Sequence, residues 1–182
     1  MILASGSPQR RAILEQLGIA FDVQVPDAEE LAEGDPRQTV IENARRKTRA
    51  VSARDRVLGV DTAVVLDGRI FGKPRDADEA ASFLLALSGR SHEVMSGIAL
   101  REPDGSERTD VAVTRVRMRA LEGALLDWYL ATGEWAERAG GYAIQARGAA
   151  LVEAIEGDYT NVVGLPVPAL LRLAPYLLAQ LG

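Results

Sequence analysis

A long apolar run that ends in an Asp-Gly turn constrains the fold of this chain more than any other feature. Residues 57–66 read "VLGVDTAVVL", and a second apolar run, "RIF", follows Asp67-Gly68 directly. Asp-Gly between two apolar runs is a strong signal for a two-residue β-hairpin turn, because the turn requires positive φ at both central positions. The stretch therefore predicts a buried strand that opens a hairpin inside a larger sheet.

Helices and further strands are predicted on both sides of this hairpin. Pro8 follows Ser7 and Pro36 follows Asp35, which is the arrangement of an N-cap and a first helical residue, and Asp76 with Glu79 suits a capping box. These signals predict helices over residues 8–17, 36–53, 77–87 and 122–132, a last helix near the C-terminus, and strands over residues 1–5, 21–25, 91–100, 110–118 and 150–155. The pattern is typical of one α/β domain, residues 1–182, with a mixed twisted sheet and flanking helices, but it leaves the strand order open.

Composition excludes several classes of function. The 182 residues carry a net charge of −5, contain no cysteine, and include one histidine, His92. The negative charge argues against a nucleic-acid-binding surface, which needs cationic side chains to neutralise phosphates. Disulfides, thiolate metal sites and histidine clusters within one chain are excluded, so any metal must have oxygen ligands, which favours Mg²⁺ or Mn²⁺. We find neither a signal peptide nor a membrane-length apolar run and expect a cytoplasmic protein.

Arg10 stands where the first predicted helix should be apolar. Ile13, Leu14 and Leu17 define the buried stripe of that helix, and Arg10 falls on it by helical spacing. Arg10 also lies in the first turn, where the helix dipole disfavours a further positive charge unless an anion is present. The small residues 5–7 precede it and let an anion approach backbone N–H groups. Together these features predict a phosphate cradle; the alternative is that Arg10 extends to solvent and Ser7 only caps the helix.

Two further charges occupy positions where the pattern predicts burial. Lys47 falls on the stripe that Val40, Ala44 and Val51 define on the second helix, so it either extends to solvent or meets an anion. Asp61 interrupts the apolar run of the long strand, and a buried carboxylate is costly unless it is paired, hydrogen-bonded or metal-bound. The functional interpretation is a catalytic or metal-binding carboxylate, and the alternative is a buried ion pair with a lysine or arginine.

Three other polar residues stand near the ends of predicted elements. A two-residue turn would pair Thr62 with Lys73, which places Lys73 diagonal to Asp61. Glu30 lies in a polar loop after the second strand, and Gln145 follows two glycines, where its amide could read a base edge. Basic groups and carboxylates without a nucleophile–histidine pair fit metal-assisted attack of water on a polyphosphate.

Eight stretches of the chain resemble the Maf family of nucleoside triphosphate pyrophosphatases. They occur in the family's order and span nearly the whole chain. The stretches are "LASGSPQRR" (3–11), "DAEE" (27–30), "ARRK" (44–47), "GVDTAVVLDG" (59–68), "FGKP" (71–74), "LSGRSHEV" (87–94), "AGGYAIQ" (139–145) and "NVVGLP" (161–166).

The resemblance implies a fold, a reaction and a set of site residues. The implied fold has two lobes around a central cleft, is related to the inosine triphosphatase fold, and is often a homodimer. The implied reaction cleaves between the α- and β-phosphates and releases a nucleoside monophosphate and pyrophosphate. The resemblance implies catalytic roles for Asp61 as the base, Lys73 and Glu30, Mg²⁺ binding by Glu30 and Asp61, and substrate binding by Ser5, Arg10, Lys47, Thr62 and Gln145.

Three positions bear on which branch of the family the chain resembles. Thr62 after Asp61 and "AIQ" at 143–145 resemble the branch that acts on dTTP and UTP, with modified pyrimidine triphosphates as further candidates. Gln9 departs from that branch, which usually has arginine there. A 7-methyl-GTP pyrophosphatase is therefore one alternative, and a nucleotide-binding regulator of cell division with little turnover is another.

Overall fold

One mixed sheet organises the protein in a computed structural model that describes residues 1–180. Its strands are β1 (Ile2–Ala4), β2 (Asp22–Val23), β3 (Val57–Leu66), β4 (Arg69–Phe71), β5 (Ser91–Arg101), β6 (Glu107–Met118) and β7 (Val152–Glu156). Their order is β2-β1-β3-β5-β6-β7, and β4 also pairs with β3. The pairs β1–β2 and β1–β3 are parallel, and every other pair is antiparallel. The predicted mixed sheet is confirmed.

The helices flank this sheet. They are α1 (Pro8–Gln16), α2 (Pro36–Arg49), α3 (Ala77–Leu87), α4 (Ala124–Ala131), α5 (Tyr159–Val163) and α6 (Val167–Leu173), with 3-10 segments at Ala139–Gly141, Arg147–Leu151 and Pro175–Gln180. Ser7, Asp35 and Asp76 cap α1, α2 and α3 as predicted, each accepting a hydrogen bond from a backbone N–H three residues on. Glu79 does not complete the capping box, because its carboxylate accepts from the N–H of Arg75.

The hairpin forms where the sequence predicts it, but it is shorter than expected. Asp67 and Gly68 have φ values of 52° and 77°, as a two-residue turn of this kind requires. The ladder ends at the pair Val64–Phe71. The predicted pairing of Thr62 with Lys73 is therefore wrong, because the chain leaves the sheet at Gly72, after a strand of only three residues.

Other parts of the fold also differ from the sequence prediction. The second strand pairs with β1 over only two residues, Asp22 and Val23, instead of residues 21–25. Helix α2 ends at Arg49 instead of residue 53, because Val51 turns inward and packs with Ile2 and Val57. The short helix α5 was not predicted; its N-cap, Asp158, accepts from the N–H of Thr160 at 2.8 Å.

Two apolar clusters pack against opposite ends of β3 and β5. One contains Val64 and Val94, and the other contains Leu58 and Ile98. Between them, on the same face of the sheet, Thr62 pairs with Ser96. Alternation along β3 turns Asp61 to the opposite face, which α2 covers. The strands thus deliver two adjacent polar residues to the boundary between two cores.

Among residues 1–180, no helix combines the length and the apolar character that crossing a membrane would require.

Candidate active site

A cleft of about 930 Å³ brings all the sequence-predicted site residues together. A volume of this order is at the upper end of the range for small-molecule sites. The cleft is lined, among others, by Ser5, Arg10, Glu30, Lys47, Asp61, Thr62, Lys73 and Gln145. Their individual roles stay predictions, but residues that lie far apart in the chain share one site.

Lys47 bridges the two carboxylates that the sequence analysis assigned to the metal. Its Nζ donates to Asp61 Oδ1 at 2.7 Å and lies 2.8 Å from Glu30 Oε1. Lys47 is buried, so it meets anions and does not extend to solvent. The structure therefore contains the buried ion pair with a lysine that was the alternative interpretation of Asp61. An ion pair inside a cleft is also what a charged catalytic group needs, because an unpaired buried carboxylate is costly.

Arg10 is buried on the other side of the β3 backbone. Its guanidinium donates to the carbonyl oxygen of Gly164 at 2.8 Å, to Ser5 Oγ at 2.9 Å and to Thr62 Oγ1 at 3.2 Å. Burial lowers the pKa of Arg10, and the negative charges of Asp61 and Glu30 oppose that shift. The side chain does not extend to solvent, and a planar group held by three oxygens presents its charge in a fixed orientation.

The facing wall of the cleft is more exposed. Lys73 pairs with Glu137 at 2.7 Å, and the two side chains are 61% and 78% exposed. An exposed pair of this kind contributes little to stability, so a phosphate can take Lys73 from it at low cost. Gln145 is also exposed on this wall, beyond Tyr142. The structure thus separates a buried, preorganised wall from an exposed one.

His92 packs against Tyr142, which lines the cleft. Its Nε2 forms a 2.8 Å hydrogen bond with the hydroxyl of Tyr142, and its Nδ1 has no hydrogen-bond partner among residues 1–180. Burial lowers the pKa of His92 to about 4 and raises the pKa of Tyr142 above its usual value. His92 is therefore neutral at physiological pH and serves the packing of Tyr142.

We expect His92 to make the protein less stable as pH falls from 6.5 towards 4. The folded state holds His92 neutral down to about pH 4, whereas the unfolded state takes up the proton near pH 6.5, so acid favours unfolding in that window. Between pH 7 and pH 5 the wild type should lose about 2 kcal/mol more than His92→Gln. Urea denaturation of both proteins across this range measures the difference, and parallel pH dependences would contradict it.

Glu30 and Asp61 have the donor chemistry that Mg²⁺ or Mn²⁺ requires. Both are carboxylates, and their contacts to one lysine hold them on the same side of the cleft. Within residues 1–180 no group of three or more acidic or histidine side chains could hold a metal ion. Mg²⁺ in nucleotide sites usually takes one or two carboxylates and completes its shell with phosphates and water, so the pair fits.

Sequence reasoning missed three contributors to the site. Asn43 donates to Asp61 Oδ2 at 3.0 Å, Glu137 pairs with Lys73, and the carbonyl of Gly164 holds Arg10. Asn43 lies on the stripe that carries Lys47, and that position was a usable signal. Glu137 and Gly164 act through loop and backbone geometry, which residue type does not reveal.

Comparison with known proteins gives a family and a set of named relatives. The family model described as Maf-like protein matches residues 1–175. A protein of Anaeromyxobacter dehalogenans named dTTP/UTP pyrophosphatase is 47% identical, over 97% of this chain and 94% of its own. Proteins of the same name are 48% identical in Ruegeria sp. (96% and 94%) and 42% identical in Pyrococcus furiosus (95% and 93%). Among solved structures, a HAM1 protein from Coxiella burnetii has a TM-score of 0.48 and 22% identity, over 82% and 90% of the two chains.

Proposed function

The chain belongs to the family of Maf-like proteins, and we propose that it hydrolyses dTTP and UTP to the nucleoside monophosphate and pyrophosphate. The observation that carries this proposal is the ion-paired group of Glu30, Lys47 and Asp61 beside the buried Arg10, in one cleft with Lys73 and Gln145. The names of relatives that are 42–48% identical over at least 95% of this chain support the choice of substrate.

The buried wall supplies the base and fixed positive charge. Asp61 orients a water molecule for in-line attack on the α-phosphorus and accepts its proton, while the bond to the bridging oxygen of the β-phosphate breaks. Both carboxylate oxygens already accept one hydrogen bond, and each retains a lone pair for water. Lys47 and Arg10 offset the negative charge that develops on the phosphates, and their buried contacts fix them before the substrate arrives.

The exposed wall receives the rest of the nucleotide. Lys73 leaves Glu137 to pair with the departing pyrophosphate. On the buried wall, Ser5 and Thr62 hold Arg10 towards the phosphates. Gln145 offers an amide donor and acceptor to the base edge. We assign Mg²⁺ to Glu30 and Asp61, where it would neutralise phosphate charge.

Three further expectations, on compartment, oligomeric state and partners, accompany this proposal. We expect the enzyme to work in the cytoplasm, where the absence of cysteine suits a reducing environment. The family resemblance suggests a homodimer. We expect no role for nucleic acid, because the net charge of −5 does not favour a polyanionic partner.

A substrate panel tests the proposed function. The purified protein should be assayed with Mg²⁺ and dTTP, UTP, CTP, dATP, GTP or 7-methyl-GTP, with pyrophosphate and orthophosphate measured separately. We expect monophosphate and pyrophosphate from dTTP and UTP, with at least about tenfold lower kcat/KM for the purine nucleotides.

Three results of the panel would contradict the proposal in different ways. A preference for 7-methyl-GTP would keep the reaction and give weight to Gln9, which lines the cleft. Release of orthophosphate would overturn the reaction itself. Binding of all nucleotides without turnover would favour the regulator.

A further inference from the structure

Asn43 joins the catalytic carboxylate to the loop that carries Glu30. It lies on α2, one turn before Lys47, and it is 2% exposed. Its Nδ2 donates to Asp61 Oδ2 at 3.0 Å and to the backbone carbonyl of Leu31 at 3.0 Å. Its Oδ1 accepts from the backbone N–H of Leu31 at 2.7 Å. Both side-chain polar atoms are therefore engaged, and all the contacts lead to the site.

The contacts with Leu31 are those of a clamp. One amide side chain pairs with both backbone groups of the residue directly after Glu30, as a neighbouring strand would. The loop has no regular structure of its own between β2 and α2. Besides Asn43, Thr39 holds Glu33 O at 3.2 Å and Arg46 holds Glu29 O at 3.0 Å. Of these three anchors, Asn43 has the shortest bond to the loop and the one side chain that also reaches Asp61.

The charge distribution explains why an amide suits this position. Asp61 already receives the ammonium of Lys47 on Oδ1, and Lys47 also serves Glu30. A second cation at position 43 would compete with Mg²⁺ for the carboxylates, whereas an aspartate would add repulsion beside them. A neutral donor that also accepts can orient Asp61 and fix the loop without changing the net charge of the cleft.

We propose that Asn43 is a positioning residue for phosphoanhydride hydrolysis. Its side chain sets the orientation of the Asp61 carboxylate and holds the loop that carries Glu30 next to Asp61. This inference rests on the proposed function, since it concerns the rate of the same reaction. The Asn43 amide is neither a base nor a phosphate ligand, because its polar atoms are engaged by Asp61 and by the backbone of Leu31. It acts through these two residues. Small displacements of a catalytic group can lower a rate by about a hundredfold, so loss of this amide should be visible in kcat.

Two variants of similar size to asparagine test the proposal. Asn43→Leu removes every hydrogen bond of the side chain, and Asn43→Asp keeps the acceptor for Leu31 but loses both donors. Thr48→Val is the matched control, because Thr48 is a buried residue of the same helix that bonds Arg45 and Glu107, away from the cleft. Each protein should be assayed for kcat and KM with dTTP, and its amide hydrogen exchange should be followed in peptides covering residues 27–34.

We expect Asn43→Leu to lower kcat by about 10- to 100-fold, with KM changed by less than about threefold. Exchange in residues 27–34 should be faster in Asn43→Leu than in Asn43→Asp, which retains the bond to the Leu31 N–H. Thr48→Val should keep kcat within about twofold of the wild type. Thermal denaturation of each variant verifies that the compared proteins are folded.

Two results would overturn the proposal. One is a wild-type enzyme that turns over dTTP while Asn43→Leu retains kcat within about twofold and unchanged loop exchange. The other is a loss of kcat in Asn43→Leu that Thr48→Val matches, because that loss would follow helix stability and not positioning. A wild type without any turnover would instead refute the proposed function, so the two failures are distinguishable.

Discussion

Replacement of Asp61 by asparagine is expected to lower kcat for dTTP by about a thousandfold while the protein stays folded. Asparagine has the shape of aspartate and can still accept the hydrogen bond from Lys47, but it cannot take a proton from water. General-base catalysis commonly contributes between about a hundredfold and ten-thousandfold, which sets the expected size of the loss. The charge that Asp61 provides to Lys47 is partly replaced by Glu30, 2.8 Å from the same ammonium. Stopped assays of pyrophosphate release measure the effect.

The division of the effect between kcat and KM separates two roles for Asp61. A base lost from the chemical step lowers kcat and leaves KM nearly unchanged. If Asp61 were only a counter-ion for Lys47, its replacement would instead raise KM, because Lys47 would then be misplaced for binding phosphate. Asp110→Asn is the matched control, since Asp110 carries an ion pair with Arg172 on the surface. A kcat for Asp61→Asn within about tenfold of the wild type would remove Asp61 from the role of base.

Three site residues that the residue pattern alone singled out share one property, which is a charge at a position of predicted burial. Arg10 and Lys47 fall on apolar helix stripes, and Asp61 interrupts an apolar strand. Burying an unpaired charge is so unfavourable that a charge at such a position indicates either an ion-pair partner or a ligand. All three side chains prove to be buried and hydrogen-bonded. What the pattern does not give is the partner, because Lys47 meets Asp61 and Glu30 through tertiary packing.

Local signals also determined how much of the fold could be predicted. Helix starts followed capping residues, and the hairpin followed Asp67-Gly68, because these depend on neighbours in sequence. Strand order depends on which long-range pairs form, and periodicity contains no information about that choice. The wrong Thr62–Lys73 pairing has the same origin: the turn fixes the first pairs of the ladder, but the point at which the chain leaves the sheet depends on the loop that follows.

The position of α2 depends on glycines whose role the sequence does not reveal. Gly97 lies opposite Asp61 in the β3–β5 ladder, directly beneath the helix that carries Asn43 and Lys47. A Cβ at position 97 would stand 2.2 Å from the carbonyl oxygen of Val40 and 2.6 Å from the nitrogen of Ile41. These are backbone atoms inside a helix, so they cannot move aside without moving α2. Gly59 meets Ala44 in the same way at 2.2 Å, which makes the close approach a property of the whole helix–sheet contact.

We therefore expect Gly97→Ala to lower the free energy of unfolding by at least about 3 kcal/mol, because a single methyl group must separate a helix from a sheet in a packed interior. Urea denaturation at pH 7 measures the change. Gly72→Ala is the control, since a Cβ there meets nothing within 4 Å, and we expect its stability to stay within about 1 kcal/mol of the wild type. The fraction of Gly97→Ala that remains folded should also show a lower kcat, because a displaced α2 carries Asn43 and Lys47 away from Asp61. Wild-type stability in Gly97→Ala would mean that α2 can move away from the sheet without cost, and the short contacts between α2 and Asp61 would then not be rigid enough to preorganise the site.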